Sequence, residues 1–132
     1  MLDKKQDNLE LSTQQVGKSG EAFVLHDLLR QGIECFVPAN DERNTDIVIY
    51  KHGFKRIQVK TLRRSRRGTS VEVRMRKESL NHTIDYLAIF LWYEKLVAYY
   101  PYSGQKSVTL GLRKAKNSQS KREWFYEYEE LV

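Results

Sequence analysis

Apolar positions in the first quarter of the chain recur at helical spacing. Val16, Phe23, Val24 and Leu28 form one stripe, with Leu25 and Leu29 beside it. Ser12 precedes the stripe and Gln15 follows three positions later, the form of a capping box. Gly32 is a natural stop. A helix is therefore predicted over about Thr13–Arg30. Further on the period shortens. Glu34–Val37 reads as a short strand closed by Pro38, followed by polar loop over Ala39–Asn44. Asp46–Tyr50 and Lys55–Thr61 read as two strands joined by a tight turn, and Ser70–Arg76 alternates like a half-exposed strand. Ile84–Trp92 is a nearly continuous apolar run, the pattern of a buried central strand, with Val97–Tyr100 as its hairpin partner. Val108–Leu112 is a candidate last edge strand, and Trp124, Phe125 and Tyr128 are anchors for a closing helical turn. Residues 1–11, the basic loop Leu62–Thr69 and the stretch Lys114–Lys121 are polar connections. The sum is a mixed sheet flanked by helices, of the α+β or α/β class. At 132 residues, with no internal repeat, the chain has the length of one domain.

Composition narrows the setting. With 40% hydrophobic and 30% charged residues the chain has a globular, not a disordered, composition. No apolar run approaches the roughly 20 residues of a bilayer span, and Met1–Asp7 lacks the apolar core of a secretory signal. Cys35 is the single cysteine, which excludes an intrachain disulfide and a Cys-rich zinc site. A reducing cytoplasm is expected.

The net charge of +6 says less than its distribution. Lys51, Lys55, Arg56, Lys60, Arg63, Arg64, Arg66, Arg67, Arg74 and Arg76 fall in one stretch with Glu72 as its lone acid. Its local charge of +9 exceeds the whole chain's, so the remainder is net acidic. Like charges packed this densely cost stability. They suit a phosphate-backbone binder better than a merely solubilising surface.

Within that stretch Gln58 and Lys60 are two apart on one strand, so they share a face opposite Ile57 and Val59. Whether Asp46 joins them depends on the turn. A two-residue His52-Gly53 loop would set Asp46 opposite Val59, on the wrong face. A three-residue Lys51-His52-Gly53 loop pairs Tyr50 with Phe54 and Asp46 with Gln58. Three-residue hairpins favour glycine in the left-handed third position, where Gly53 stands. Glu21, on the flank of the helix stripe, leans toward the same place. Two carboxylates and an amide oxygen are hard ligands for Mg²⁺. A nearby lysine can hold an attacking water and offset transition-state charge. Taken singly, each of the four is an ordinary exposed polar residue; the conjunction carries the reading.

Several alternatives fail on spacing. Gly17-Lys18-Ser19 lacks the first glycine of a phosphate-binding loop, since Ser12 occupies its place. His26, His52 and His82 lie on separate predicted elements without metal spacing. His26 reads as helix surface, His52 as a turn residue and Cys35 as core. Trp92, Tyr93, Tyr99, Tyr100 and Tyr102 read as cross-strand packing in preference to base stacking.

Gly17-x-x-Gly20-Glu21, Thr45-Asp46-Ile47-Val48-Ile49 and Ile57-Gln58-Val59-Lys60-Thr61 together resemble the core of the PD-(D/E)XK nuclease superfamily. They are most similar to its group I intron-encoded homing endonucleases, which carry glutamine at the position of Gln58. Ile84–Ile89 and Tyr99-Tyr100-Pro101 resemble it more loosely, so the likeness covers roughly residues 15–102. Thr45 stands where many relatives have proline. The resemblance implies a restriction-endonuclease-like core. It implies Asp46, Gln58 and Glu21 as metal ligands for Mg²⁺, with Mn²⁺ able to substitute, and Lys60 as the catalytic lysine. It also implies products with a 5′-phosphate and a 3′-hydroxyl. Arg63, Arg64, Arg66 and Arg67, with Lys55, Arg56, Arg74 and Arg76, are the expected contacts to double-stranded DNA, some of the arginines reaching guanine edges. One site per chain cuts one strand, so double-strand cleavage calls for a homodimer or homotetramer. The expected activity is a site-specific endodeoxyribonuclease. A Holliday-junction-resolving nuclease, a catalytically degenerate DNA-binding protein and, more remotely, an accessory or inhibitor protein are the alternatives.

Overall fold

The fold was analysed in a computed structural model, which describes residues 10–40, 44–63, 68–76, 84–112 and 122–131. The polar residues before Glu10, the arginines Arg64, Arg66 and Arg67, His82 and the stretch Lys114–Lys121 lie outside these.

Helix α1 spans Thr13–Arg30. The capping box is present: Gln15 N–H donates to Ser12 Oγ at 3.1 Å, and Ser12 N–H donates to Gln15 Oε1 at 2.8 Å. Val16, Gly20, Val24 and Leu28, each four residues on from the last, are its buried positions. The helix ends at Gln31, and Gly32 takes the left-handed φ of +79° that the exit requires.

Seven strands follow: β1 Glu34–Phe36, β2 Ile47–Tyr50, β3 Phe54–Leu62, β4 Ser70–Arg74, β5 Tyr86–Leu91, β6 Leu96–Pro101 and β7 Ser107–Gly111. A short 3₁₀ turn over Phe125–Tyr128 comes last. Five strands make a mixed sheet in the order β1-β2-β3-β5-β6. Its pairs are antiparallel except for β3 with β5, which are parallel. The β2–β3 turn is the three-residue one, with Tyr50 opposite Phe54. His52 and Gly53 both have positive φ there, 55° and 115°.

The period of two along each strand gives the sheet two apolar faces. On the near face Ile47, Ile49, Ile57, Ala88, Phe90 and Tyr99 pack with Val24 and Leu28 of α1. Phe23 stacks on Phe90 with centroids 4.5 Å apart. On the far face Leu87, Ile89, Leu91, Ala98 and Tyr100 form a second core with Val71, Val73, Val108 and Leu110. These four come from β4 and β7, which pair with each other and not with the main sheet. The second face is thus covered by a two-stranded ribbon and the closing helical turn, which is 3₁₀. The alternation in Ser70–Arg74 is that of a ribbon with one side down on the sheet: Val71 and Val73 are buried, Glu72 and Arg74 exposed. Each fully buried aliphatic side chain contributes about 1.5–3 kcal/mol, so the ribbon supplies much of the second core.

Candidate active site

Strand β3 passes from the hairpin turn, between the two cores, to a position under α1. Ile57 and Val59 belong to the near face with α1. By the strand period Gln58 and Lys60 point to the far face. Gln58 is only 6% exposed, although it is polar. Its Oε1 is buried and makes no hydrogen bond. A buried oxygen left without a donor costs about 1–3 kcal/mol, so the site asks for a cation or a bound water at that atom. Thr45 Oγ1 is buried and unpartnered in the same way.

Asp46 does not pair with Gln58 as the turn register suggested. The regular β2–β3 ladder stops at Ile47 opposite Ile57. Asp46 N–H donates to Ile57 O at 2.9 Å, so residues 46 and 47 both oppose Ile57, as in a β-bulge. The side chain replaces the missing ladder acceptor: Val59 N–H donates to Asp46 Oδ2 at 2.7 Å. A short carboxylate at a strand end can serve in this way because its oxygen reaches the position of a backbone carbonyl. The carboxylate is thereby fixed across the β3 segment that bears Gln58 and Lys60.

Lys60 has its pKa lowered from the usual lysine value. Burial is the chief cause; Arg76 lowers it further, and Asp46 pulls it back up. Both charged groups are therefore within electrostatic reach of the ammonium. Arg76 follows β4, and the ribbon brings its charge to the site.

Glu21 is partly buried on α1, and one carboxylate oxygen lies 3.6 Å from Lys18 Nζ. Its neighbour Gly20 is where the helix touches β3: a Cβ there would overlap Thr61 Oγ1 and crowd Phe90. Gly17, in contrast, faces open space. Gly20 thus brings α1 onto the residue next to Lys60 and sets Glu21 at that crossing. Among the described residues no three His, Cys, Asp or Glu side chains lie together. Glu21 and Gln58 lie on opposite faces of the sheet, so among the described residues a divalent ion beside Gln58 would draw on the Asp46 carboxylate and the Gln58 amide oxygen. The donors that are present, oxygen only and one of them unsatisfied, fit a hard cation.

Among the described residues the basic side chains of β3 fall on both sides of the sheet. Lys55 pairs with Ile49 and shares the α1 side, while Arg56 is exposed on the far side. Arg63 lies over the Trp92 ring at 5.6 Å, and Lys95 lies at 4.7 Å from the same ring. Arg74 is exposed and 3.2 Å from Glu72. Of the aromatics weighed above, Trp92, Tyr99, Tyr100 and Tyr102 are buried and pack in the two cores. His26 and His52 are exposed. The Cys35 thiol donates to Ile33 O, and burial raises its pKa. The exposed aromatics among the described residues are others, Phe36, Tyr50, Phe54 and Tyr126, which the sequence pattern did not single out for contact.

The bulged strand end thus presents Asp46 beside the strand that carries Gln58 and Lys60, and α1 crosses the other face of that strand at Thr61. The sequence matches the PD-(D/E)XK endonuclease family over residues 11–131, and the chain belongs to that family. Such nucleases generally use divalent metal ions. Among solved structures the fold is similar to that of I-Ssp6803I, a bacterial homing endonuclease. The TM-score is 0.68 at 17% identity, over 90% of this chain and 87% of that one. Hjc, a Holliday junction resolvase from the archaeal hyperthermophile Archaeoglobus fulgidus, matches with a TM-score of 0.49 at 16% identity, over 73% of this chain and 89% of its own. No curated protein sequence matches the chain. Among the described residues no helix is long and apolar enough to cross a membrane.

Proposed function

We propose that this protein is a metal-dependent endonuclease that hydrolyses phosphodiester bonds of double-stranded DNA at a specific site. The reading rests on the Gln58 amide oxygen, buried without a partner in the strand that carries Lys60 and receives Asp46. Asp46 and Gln58 would hold Mg²⁺ or Mn²⁺; Glu21, expected as a third ligand, stands on the helix that covers the opposite face of the sheet and lies beside Lys18 there. When bound, that ion would polarise the scissile phosphate and acidify a water. Lys60 binds the attacking water or a phosphate oxygen and offsets the charge that develops in the transition state. Its lowered pKa makes proton exchange easier than for an exposed lysine. Arg56, Arg63 and Arg76, with the arginines Arg64, Arg66 and Arg67, grip the backbone. The products are a 5′-phosphate and a 3′-hydroxyl, and cutting both strands calls for a homodimer or homotetramer. The lone cysteine suits a reducing cytoplasm.

A second reading, a DNA-binding protein with a degenerate site, draws on the scarcity of carboxylates among the described residues. Plasmid nicking with Mg²⁺ or Mn²⁺ separates the two. Cleavage is expected from the wild type. Asp46→Asn and Lys60→Met should each lower it by about 10²–10³-fold, the scale of losing one electrostatic stabiliser, with salt-dependent DNA binding retained. Binding without any metal-dependent nicking by the wild type would transfer the case to the second reading.

A further inference from the structure

The far face of the main sheet holds an exposed aromatic cluster outside the site. Phe36 is 43% exposed, Tyr50 50% and Phe54 67%. Phe54 lies 5.0 Å from Tyr50 and 5.8 Å from Phe36, centroid to centroid. The register fixes which face they share. Cys35, Ile49 and Ile57 belong to the α1 side. Phe36, Tyr50 and Phe54 alternate with them and therefore share the side of Gln58 and Lys60. Along β3 one row runs Lys60, Gln58, Arg56, Phe54. At about 3.3 Å per residue the aromatic cluster lies roughly 13 Å from Gln58, with the exposed Arg56 between.

We infer that this cluster is a base-stacking subsite for an unpaired stretch of nucleic acid a few nucleotides from the cleaved bond. The inference rests on the reading that a DNA strand is cut at the Gln58–Lys60 end of β3. Exposed rings beside a cationic track are how single strands are held without reading their sequence: the cations follow the phosphates and the rings take the bases. A fully paired duplex offers no free base faces, so the rings discriminate for substrates with an unpaired arm next to the duplex.

Charge decides between nucleic acid and a second copy of the chain as the occupant. Arg56 borders the rings on the side of the site, the chain carries +6, and two copies meeting here would set arginine near arginine. Asp85 lies nearby, but one of its carboxylate oxygens accepts the Arg56 amide at 2.8 Å. Glu34 pairs with Tyr50 on the edge strand, away from the site.

The test compares a blunt DNA duplex with the same duplex bearing a ten-nucleotide unpaired 5′ or 3′ arm. Binding is measured in EDTA, cleavage in Mg²⁺, and sedimentation gives the oligomeric mass. Wild type should prefer an armed duplex. Phe54→Ser should weaken armed binding about tenfold, the order of one lost base–ring stack, and leave blunt-duplex binding unchanged; Phe54→Trp should restore it. Armed and blunt binding falling together, no change in either, or a drop in oligomeric mass in Phe54→Ser would overturn the subsite, the last by making the patch a subunit interface. If Phe54-dependent armed binding appears without metal-dependent cleavage, the rings stand as a single-strand contact, while the nuclease reading and with it their place beside a cleaved bond fall.

Discussion

The far face of the sheet has two halves of opposite character. Over β5 and β6 the ribbon buries Leu87, Ile89, Leu91, Ala98 and Tyr100 in a second core. Over β1, β2 and the start of β3, Phe36, Tyr50 and Phe54 stay exposed. Gln58 and Lys60 sit in the middle of β3, between the two. The ribbon's coverage explains why a glutamine there is buried and why Lys60 feels Arg76. It leaves the other side open, the side from which the proposed substrate would approach. One half of the surface serves stability, the other is the proposed contact surface, and the proposed site lies where one gives way to the other.

That contrast can be tested by substitutions of graded effect. The largest belongs to the covered half. Leu110, fully buried in β7, becomes a cavity in Leu110→Ala, and chemical denaturation should show a loss of about 2–5 kcal/mol. A smaller effect is expected where the covered half is tied to the end of the chain. Tyr100 OH donates to Glu123 Oε1 at 2.7 Å, and Tyr128 OH donates to Glu123 Oε2 at 2.6 Å. Burial and the Glu123 hydrogen bond push the Tyr100 pKa up to about 12 from 10.0. A raised tyrosine pKa favours the neutral phenol in the fold. Its stabilisation is therefore complete below pH 10 and is lost as the pH rises through about 12. Tyr100→Phe should cost about 1–2 kcal/mol at neutral pH and make denaturation midpoints fall less steeply across that alkaline window. The smallest effect belongs to the bare half: Phe54→Ser should shift stability by no more than about 0.5 kcal/mol. A large destabilisation there would erase the distinction between the halves.

Most of this architecture could be read along the chain. The capping box at Ser12 and the buried stripe fixed α1 to its first and last residues, and Gly53 selected the three-residue turn that aligns β2 with β3. These are local signals, set by neighbours in sequence. The partnership of β4 with β7 was not legible, because alternation shows that a strand has one buried side but not which strand it pairs with. Nor was the Asp46 bulge, which arises when a side chain takes over a ladder bond after the regular register has ended. In the Gly17-x-x-Gly20 pair only Gly20 is needed for close approach, since its partner Thr61 comes from a strand 41 positions away in the chain. The aromatic patch is illegible in the sequence for a related reason. Phe36, Tyr50 and Phe54 come from three strands and meet only in the folded sheet.

The bond from the Val59 amide to Asp46 Oδ2 has an evolutionary corollary. Asparagine offers the same amide a carbonyl oxygen of equal reach, so a single base-change-sized step can remove the anion while the strand end keeps its shape. With Asp46 as the proposed metal ligand, a lineage of such proteins could therefore silence cutting without unlearning how to grip its target, and could regain it by the reverse step. The same property makes the asparagine form a ready-made tool for trapping whatever the cutting form acts on.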